Sequence, residues 1–305
     1  ANNLPVYLVL KAKNESVWLP KVKGSKKKNL EENFSVKTGR LSLERAGRVY
    51  AAFYDFLIEK SRSVKFSIVI LPSGRLSSQH GLSDAAKELG IKKVYTGYGN
   101  VDNRIFVDSQ GTDKQSSLFL NPEILDSLPV DEPSFARWKE DYISRKKVLH
   151  KVSQAKKIGV KTFFLKFVQI FFCKIEKILG FAGENDYGFS ELLKVKPVAF
   201  SYDKMDFKDE YIFFPMQVST DAQVILNFSG GSVLDGLAAA IEFSRSKGKL
   251  LVVKPHPAEL NQRILIELNR LKENSDFKVV NDNTFVLLEN SEEVVTINST
   301  VALEA

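Results

Sequence analysis

The chain has 305 residues, 44% hydrophobic and 27% charged, with 44 Lys+Arg against 37 Asp+Glu and a net charge of +7. These are the proportions of a soluble globular protein with room for two α/β domains, and the moderate basic excess suits a nucleotide, an acidic sugar, a polyanion or an anionic membrane. One cysteine, Cys173, excludes a disulfide framework and a cysteine-based metal site, and no run reaches the roughly 18 apolar residues of a spanning helix.

Strand-like and helix-like segments alternate along the first half. Residues 6–10 form a short apolar run with no signal-peptide core, which points to a cytoplasmic chain, and a basic loop follows at 21–29. Residues 40–59 carry helical periodicity, and 66–71 are a β-branched run that ends in Pro72-Ser73-Gly74. A helix is predicted at 76–89, closed by Gly90, and a strand at 94–98.

The second half repeats this rhythm. Strands are predicted at 211–216, 250–254, 279–280 and 294–297, and helices at 232–246, 258–272 and 284–290, with a last helix starting at Thr300. The alternation predicts an α/β fold with two Rossmann-type domains facing a cleft, the GT-B arrangement, at residues 1–205 and 206–305. Ligands of such sheets bind beyond the carboxyl ends of the strands, so the strand-exit loops carry the candidate site residues.

Between the halves, residues 145–183 combine ten Lys and Arg residues with Phe163, Phe164, Phe167, Phe171, Phe172 and Phe181. One account is a helical pair that packs its aromatics between domains and solvates its lysines. The other is an interfacial helix that dips its aromatics among anionic lipid headgroups at the inner face of the membrane. No nucleic-acid recognition motif accompanies the block.

Lys254-Pro255-His256-Pro257 follows the strand at 250–254, where a point charge and an imidazole, held by two prolines, could contact a phosphate or move a proton. Asn298-Ser299-Thr300 follows the next predicted strand, as helix caps or as an anion site. Ser229-Gly230-Gly231-Ser232 precedes a helix and could cradle a phosphate or cap that helix. Gln217 and Asp221 lie in the loop after 211–216, where a carboxylate could act as base or nucleophile or remain a solvated loop residue.

In this order, Phe213-Phe-Pro-Met-Gln-Val-Ser-Thr-Asp-Ala-Gln223, Val252-Val-Lys-Pro-His-Pro257 and Thr296-Ile-Asn-Ser-Thr-Val-Ala-Leu-Glu-Ala305 resemble the capsule-polysaccharide biosynthesis family, which includes the β-Kdo transferases. Phe106-Val-Asp-Ser-Gln-Gly111, Gln115-Ser-Ser-Leu118 and Leu288-Glu-Asn290 add to the resemblance, which is dense across 211–305, patchy across 66–140 and absent over 145–205. It implies a GT-B glycosyltransferase that moves an ulosonic sugar from a CMP-linked donor to a capsule or lipopolysaccharide glycan or glycolipid, without a metal. His256 and Lys254 would hold the CMP phosphate with Ser299 and Thr300, and Asp221 would stand beside the anomeric carbon, as nucleophile if configuration is retained. The family's glutamate-any-glycine motif is replaced here by Gly97-Tyr98-Gly99-Asn100, which leaves Asp108 as the nearest proton acceptor. The chain also stops at Ala305, where the family continues. A sialyl- or polysialyltransferase and a non-catalytic scaffold of capsule assembly at the membrane are the alternatives.

Overall fold

The computed structural model describes residues 20–22, 28–99, 104–148, 160–185, 200–259 and 261–305. The strand expected at 6–10, most of the loop at 21–29, Asn100, the lysines between 149 and 159 and the side chains of Lys161, Phe163 and Lys166 lie outside them. The chain is a mixed α/β protein of two compact units, Ala1–Asp126 with Ile158–Leu192, and Ser127–Lys157 with Leu193–Ala305.

In chain order, α1 (Phe34–Lys37), α2 (Leu43–Lys60), β1 (Ile68–Pro72), α3 (Ser77–Glu88), β2 (Lys92–Tyr98), β3 (Ile105–Asp108) and α4 (Ser117–Leu120) build the first unit. α5 (Glu132–Val148) belongs to the second unit and α6 (Val160–Ile178) to the first. The second unit continues with β4 (Tyr211–Pro215), α7 (Ala222–Asn227), α8 (Val233–Lys247), β5 (Leu250–Lys254), α9 (Gln262–Asn274), β6 (Phe277–Val279), α10 (Thr284–Glu289), β7 (Glu293–Val294) and α11 (Val301–Glu304).

The first unit's sheet runs β1-β2-β3, with β1 parallel and β3 antiparallel to β2. The antiparallel β3 was not foreseen, because its alternating Ile-Phe-Val-Asp is too short to separate from loop. Helix α2 begins at Ser42, whose hydroxyl accepts the Arg45 N–H at 3.2 Å. Its buried residues Ala46, Val49, Tyr50, Tyr54 and Leu57 recur at helical spacing. Helix α3 lies tightly on α2 at Gly81, where a Cβ would stand 2.3 Å from the Tyr50 carbonyl oxygen.

The second unit's sheet is wholly parallel, in the order β6-β5-β4-β7. Every residue of β4 is buried, as expected of a central parallel strand covered on both faces. Ile212 and Phe214 pack with Leu237 of α8 and Leu268 of α9, while Tyr211 and Phe213 pack with Val252, Val280 and Leu287 of α10. The Tyr211 hydroxyl donates to the Leu287 carbonyl at 2.7 Å, and burial pushes its pKa up to about 12.

Numbered from β4, this strand order is 3-2-1-4, so the chain reverses direction across the sheet between β4 and β7. Open α/β sheets bind ligands beyond the carboxyl ends of their strands at such a reversal.

Two segments expected with the first half are held by the second. The Asp203 N–H donates to the Val279 carbonyl at 2.7 Å, and its carboxylate accepts the Val279 N–H at 2.8 Å. From α5, the Tyr142 ring packs edge-on against Phe285, and Lys147 pairs with Glu289 at 2.5 Å.

Candidate functional site

The loops after β4, β5 and β7 meet beyond the carboxyl ends of their strands, and each brings residues singled out from the sequence. After β4 the chain stays bound to β5, with the Met216 N–H on the Lys254 carbonyl at 2.9 Å. The next side chain, Gln217, is buried, and its carbonyl oxygen accepts the Asn298 N–H at 3.2 Å. The Asn298 amide in turn donates to the Gln223 carbonyl at 3.4 Å. Gln217 and Asn298 therefore clamp the loops on either side of the reversal.

After β5, Pro255 is buried and the chain turns at Pro257 and Ala258. The turn is closed by His256, whose Nδ1 accepts the Ala258 N–H at 3.1 Å. That bond assigns the imidazole proton to Nε2, which leaves that nitrogen as a hydrogen-bond donor. Burial lowers the His256 pKa, while Asp221 and Glu259 act to raise it and Lys254 to lower it, and the net shift is downward. Because His256 draws Ala258 and Glu259 into this turn, α9 starts at Gln262 rather than at the expected 258.

The Lys254 ammonium is largely committed within the fold. It donates to the Asp282 carbonyl at 2.6 Å and to the Thr284 hydroxyl at 2.9 Å, which pins the end of β5 to the start of α10. Burial lowers its pKa, opposed by Asp282. One of its three N–H bonds remains for another acceptor.

Asp221 caps α7, a helix the sequence reading left as loop, by accepting the Gln223 N–H at 2.8 Å on one carboxylate oxygen. The Ser299 hydroxyl accepts the Val301 N–H at 3.2 Å, and Thr300 is an exposed N-cap without a side-chain bond. Ser229, Gly230 and Gly231 are exposed, and Gly231 takes the left-handed φ of +93° that glycine tolerates. They lead into a capping box in which the Asp235 carboxylate accepts the Ser232 N–H at 2.9 Å. A carboxylate thus already occupies the first turn of α8, and this loop serves as a cap.

Sequence reasoning missed Glu259. This buried carboxylate accepts the Ser219 N–H at 2.6 Å, the Ser219 hydroxyl at 3.2 Å and the Asn261 N–H at 2.7 Å. It joins the loop bearing Gln217 and Asp221 to the one bearing His256. The one available signal was an acidic residue two places after Pro257, at a point read as ordinary helix.

Asp108 lies in the first unit, at the end of β3. Its carboxylate accepts the Gln110 N–H at 2.7 Å, the Gly111 N–H at 3.0 Å, the Ser117 N–H at 2.9 Å and the Ser117 hydroxyl. Burial works to raise its pKa, but these four bonds, that of the Ser117 hydroxyl foremost, bring it below the ordinary carboxylate value. Through these bonds the Asp108 carboxylate shapes the turn after β3. Among the described residues no group of three His, Cys, Asp or Glu side chains stands close enough to hold a metal ion.

Comparison with known proteins bears on the second unit most directly. Residues 193–305 match the family described as capsule polysaccharide biosynthesis protein. Among solved structures, Thermosulfurimonas dismutans KpsC, a beta Kdo 2,4 transferase, aligns at 17% identity with a TM-score of 0.40, over 78% of this chain. The chain spans 65% of the length of that protein. No curated protein sequence matches. The matched residues, 193–305, contain all three of these loops.

Proposed function

We propose that the chain is a glycosyltransferase whose second unit binds a CMP-activated acidic sugar, Kdo first among them, and whose acceptor is a capsule or lipopolysaccharide glycan or glycolipid. One observation carries the reading. His256, with Nε2 as its donor nitrogen, stands in a loop that Glu259 holds against the loop bearing Gln217 and Asp221, beside the reversal of a 3-2-1-4 parallel sheet. The family match of residues 193–305 and the motif resemblance to the β-Kdo transferases support it. The two-domain GT-B arrangement is part of the same proposal.

In this mechanism His256 Nε2–H donates to a phosphoryl oxygen of CMP and stabilises the charge that grows there as the sugar departs. The Ser299 and Thr300 hydroxyls and the third N–H of Lys254 complete the phosphate contacts, while the other two Lys254 bonds fix the loop. Asp221 keeps one carboxylate oxygen clear of its capping bond. That oxygen bonds to the anomeric carbon as the bond from that carbon to the CMP phosphate breaks, and CMP takes the electron pair. The acceptor hydroxyl then displaces Asp221 from the same carbon and gives up its proton to water, while Asp221 leaves as carboxylate, with net retention of configuration.

The test is CMP release from CMP-Kdo and from CMP-sialic acid, with wild type, His256→Ala and Asp221→Asn. Wild type is expected to release CMP from CMP-Kdo in preference, and each variant to lose most of that rate. Release from CMP-sialic acid alone would replace the Kdo assignment. Release from neither donor, by a protein that still binds CMP, would leave the non-catalytic scaffold as the better reading.

A further inference from the structure

The amphipathic helix α6 turns its apolar face outward. Phe164, Leu165, Phe171, Phe172, Ile178 and Leu179 are all exposed, Phe164 by 63% and Ile178 by 83%. At 100° per residue these six fall within one half of the helix surface. The buried Ile170 stands outside that sector. A helix of 19 residues is about 28 Å long, and so much contiguous aromatic and aliphatic surface is unusual on a monomeric soluble protein. No helix among the described residues is long and apolar enough to cross a membrane.

The charge distribution says what covers this face. Residues 145–183 hold ten of the 44 Lys and Arg residues and one of the 37 Asp and Glu residues. The rest of the chain, with 34 basic and 36 acidic residues, is slightly acidic. Lys161, Lys166, Lys174 and Lys177 of that block lie on α6 itself against one acid, Glu176, so the helix carries a net charge of +3. Lys174 is exposed one turn from both Phe171 and Ile178, on the rim of the apolar face. An apolar protein partner or a second copy of the same basic helix would gain nothing from this charge, and two copies would repel. An anionic bilayer accepts both features, aromatics at the acyl boundary and lysines on the headgroups.

We infer that α6 lies flat on an anionic lipid surface and docks the protein there through its Phe164–Phe171–Phe172 face. The inference is independent of the donor site in the second unit.

The test is cosedimentation of the full chain with vesicles of phosphatidylcholine, with and without 40% phosphatidylglycerol (about the anionic fraction at which surface electrostatics act strongly). The variants are F164S/F171S/F172S and K174E. Wild type is expected to bind the anionic vesicles at least about tenfold more tightly than the neutral ones, and to lose that binding in high salt. The triple variant should lose binding altogether, and K174E should weaken it several-fold. All these substitutions are at exposed positions, so circular dichroism and CMP affinity should stay unchanged. Equal binding by wild type and the triple variant, or no binding by wild type, would overturn the inference. So would a wild-type dimer that the triple variant dissolves, because it would assign the face to a second copy.

Discussion

The two units carry similar chemistry at the ends of their strands and use it in opposite ways. In the first, polar groups are spent on one another. Asp108 takes four hydrogen bonds, the Glu184 carboxylate covers the Ser78 N–H at the start of α3, and Arg75 pairs with Asp113 through Nε at 2.7 Å. In the second, Glu259, Gln217 and Lys254 are spent in the same manner, but what they hold still is a loop whose His256 keeps Nε2–H as a donor. A saturated network makes a rigid scaffold, whereas a saturated network around an unspent donor makes a site.

The largest effect that would break this contrast is expected at Glu259. Glu259→Ala leaves the half-buried Ser219 N–H and the Asn261 N–H without their acceptor and should cost about 2 kcal/mol. Amide hydrogen exchange should show the loss in peptides of the second unit, together with weakened CMP binding. Asp108→Ala should cost about 2–3 kcal/mol in the first unit and leave CMP binding unchanged. Because Asp108 has a lowered pKa, its contribution is present above the ordinary carboxylate value and fades as pH falls through the lowered one. A change in CMP affinity in the Asp108 variant would blur the comparison.

Two smaller effects sharpen it. The first rests on a helix-packing contact. Gly81→Ala pushes a Cβ against the backbone of α2 and should destabilise the first unit by about 2 kcal/mol. Gly236→Ala in α8 meets the far end of the Ile297 side chain at 2.7 Å, which can swing aside, so its cost should stay below about 1 kcal/mol. Thermal unfolding of the two variants should rank them in that order. The second is the titration of His256. Burial disfavours its charged form, so the folded protein binds this proton less readily than the unfolded chain, and acidification below the ordinary value of 6.5 favours unfolding. Proton NMR of the imidazole, assigned with His256→Ala, should show it titrating below 6.5; a value above that would mean the loop is more open than described.

Much of the second unit was legible in the sequence because a buried parallel sheet writes itself as apolar runs. Residues 211–216 and 250–254 stand within a residue of β4 and β5, and Gly248 ends α8 at the left-handed φ of +64°. What failed were elements shaped by side-chain contacts between distant residues. The start of α9 moved because His256 claims the Ala258 N–H, and β7 ends at Val294 because the chain turns off toward Gln217. Glu259 escaped notice because its role depends on Ser219, 40 positions earlier. The lysines of α6 were read against the whole block at 145–183, which obscured an apolar face that appears once the helix bounds are known.

The central claim is that nucleotide binding depends on the unspent donor of the second unit and is indifferent to the saturated network of the first. Calorimetric titration of CMP into wild type, His256→Ala and Asp108→Ala tests it directly. The account predicts that His256→Ala weakens binding roughly ten- to a hundredfold, the loss of one hydrogen bond to a charged oxygen, while Asp108→Ala binds as wild type does. Unchanged binding by His256→Ala, or no binding of CMP by folded wild-type protein, would contradict it.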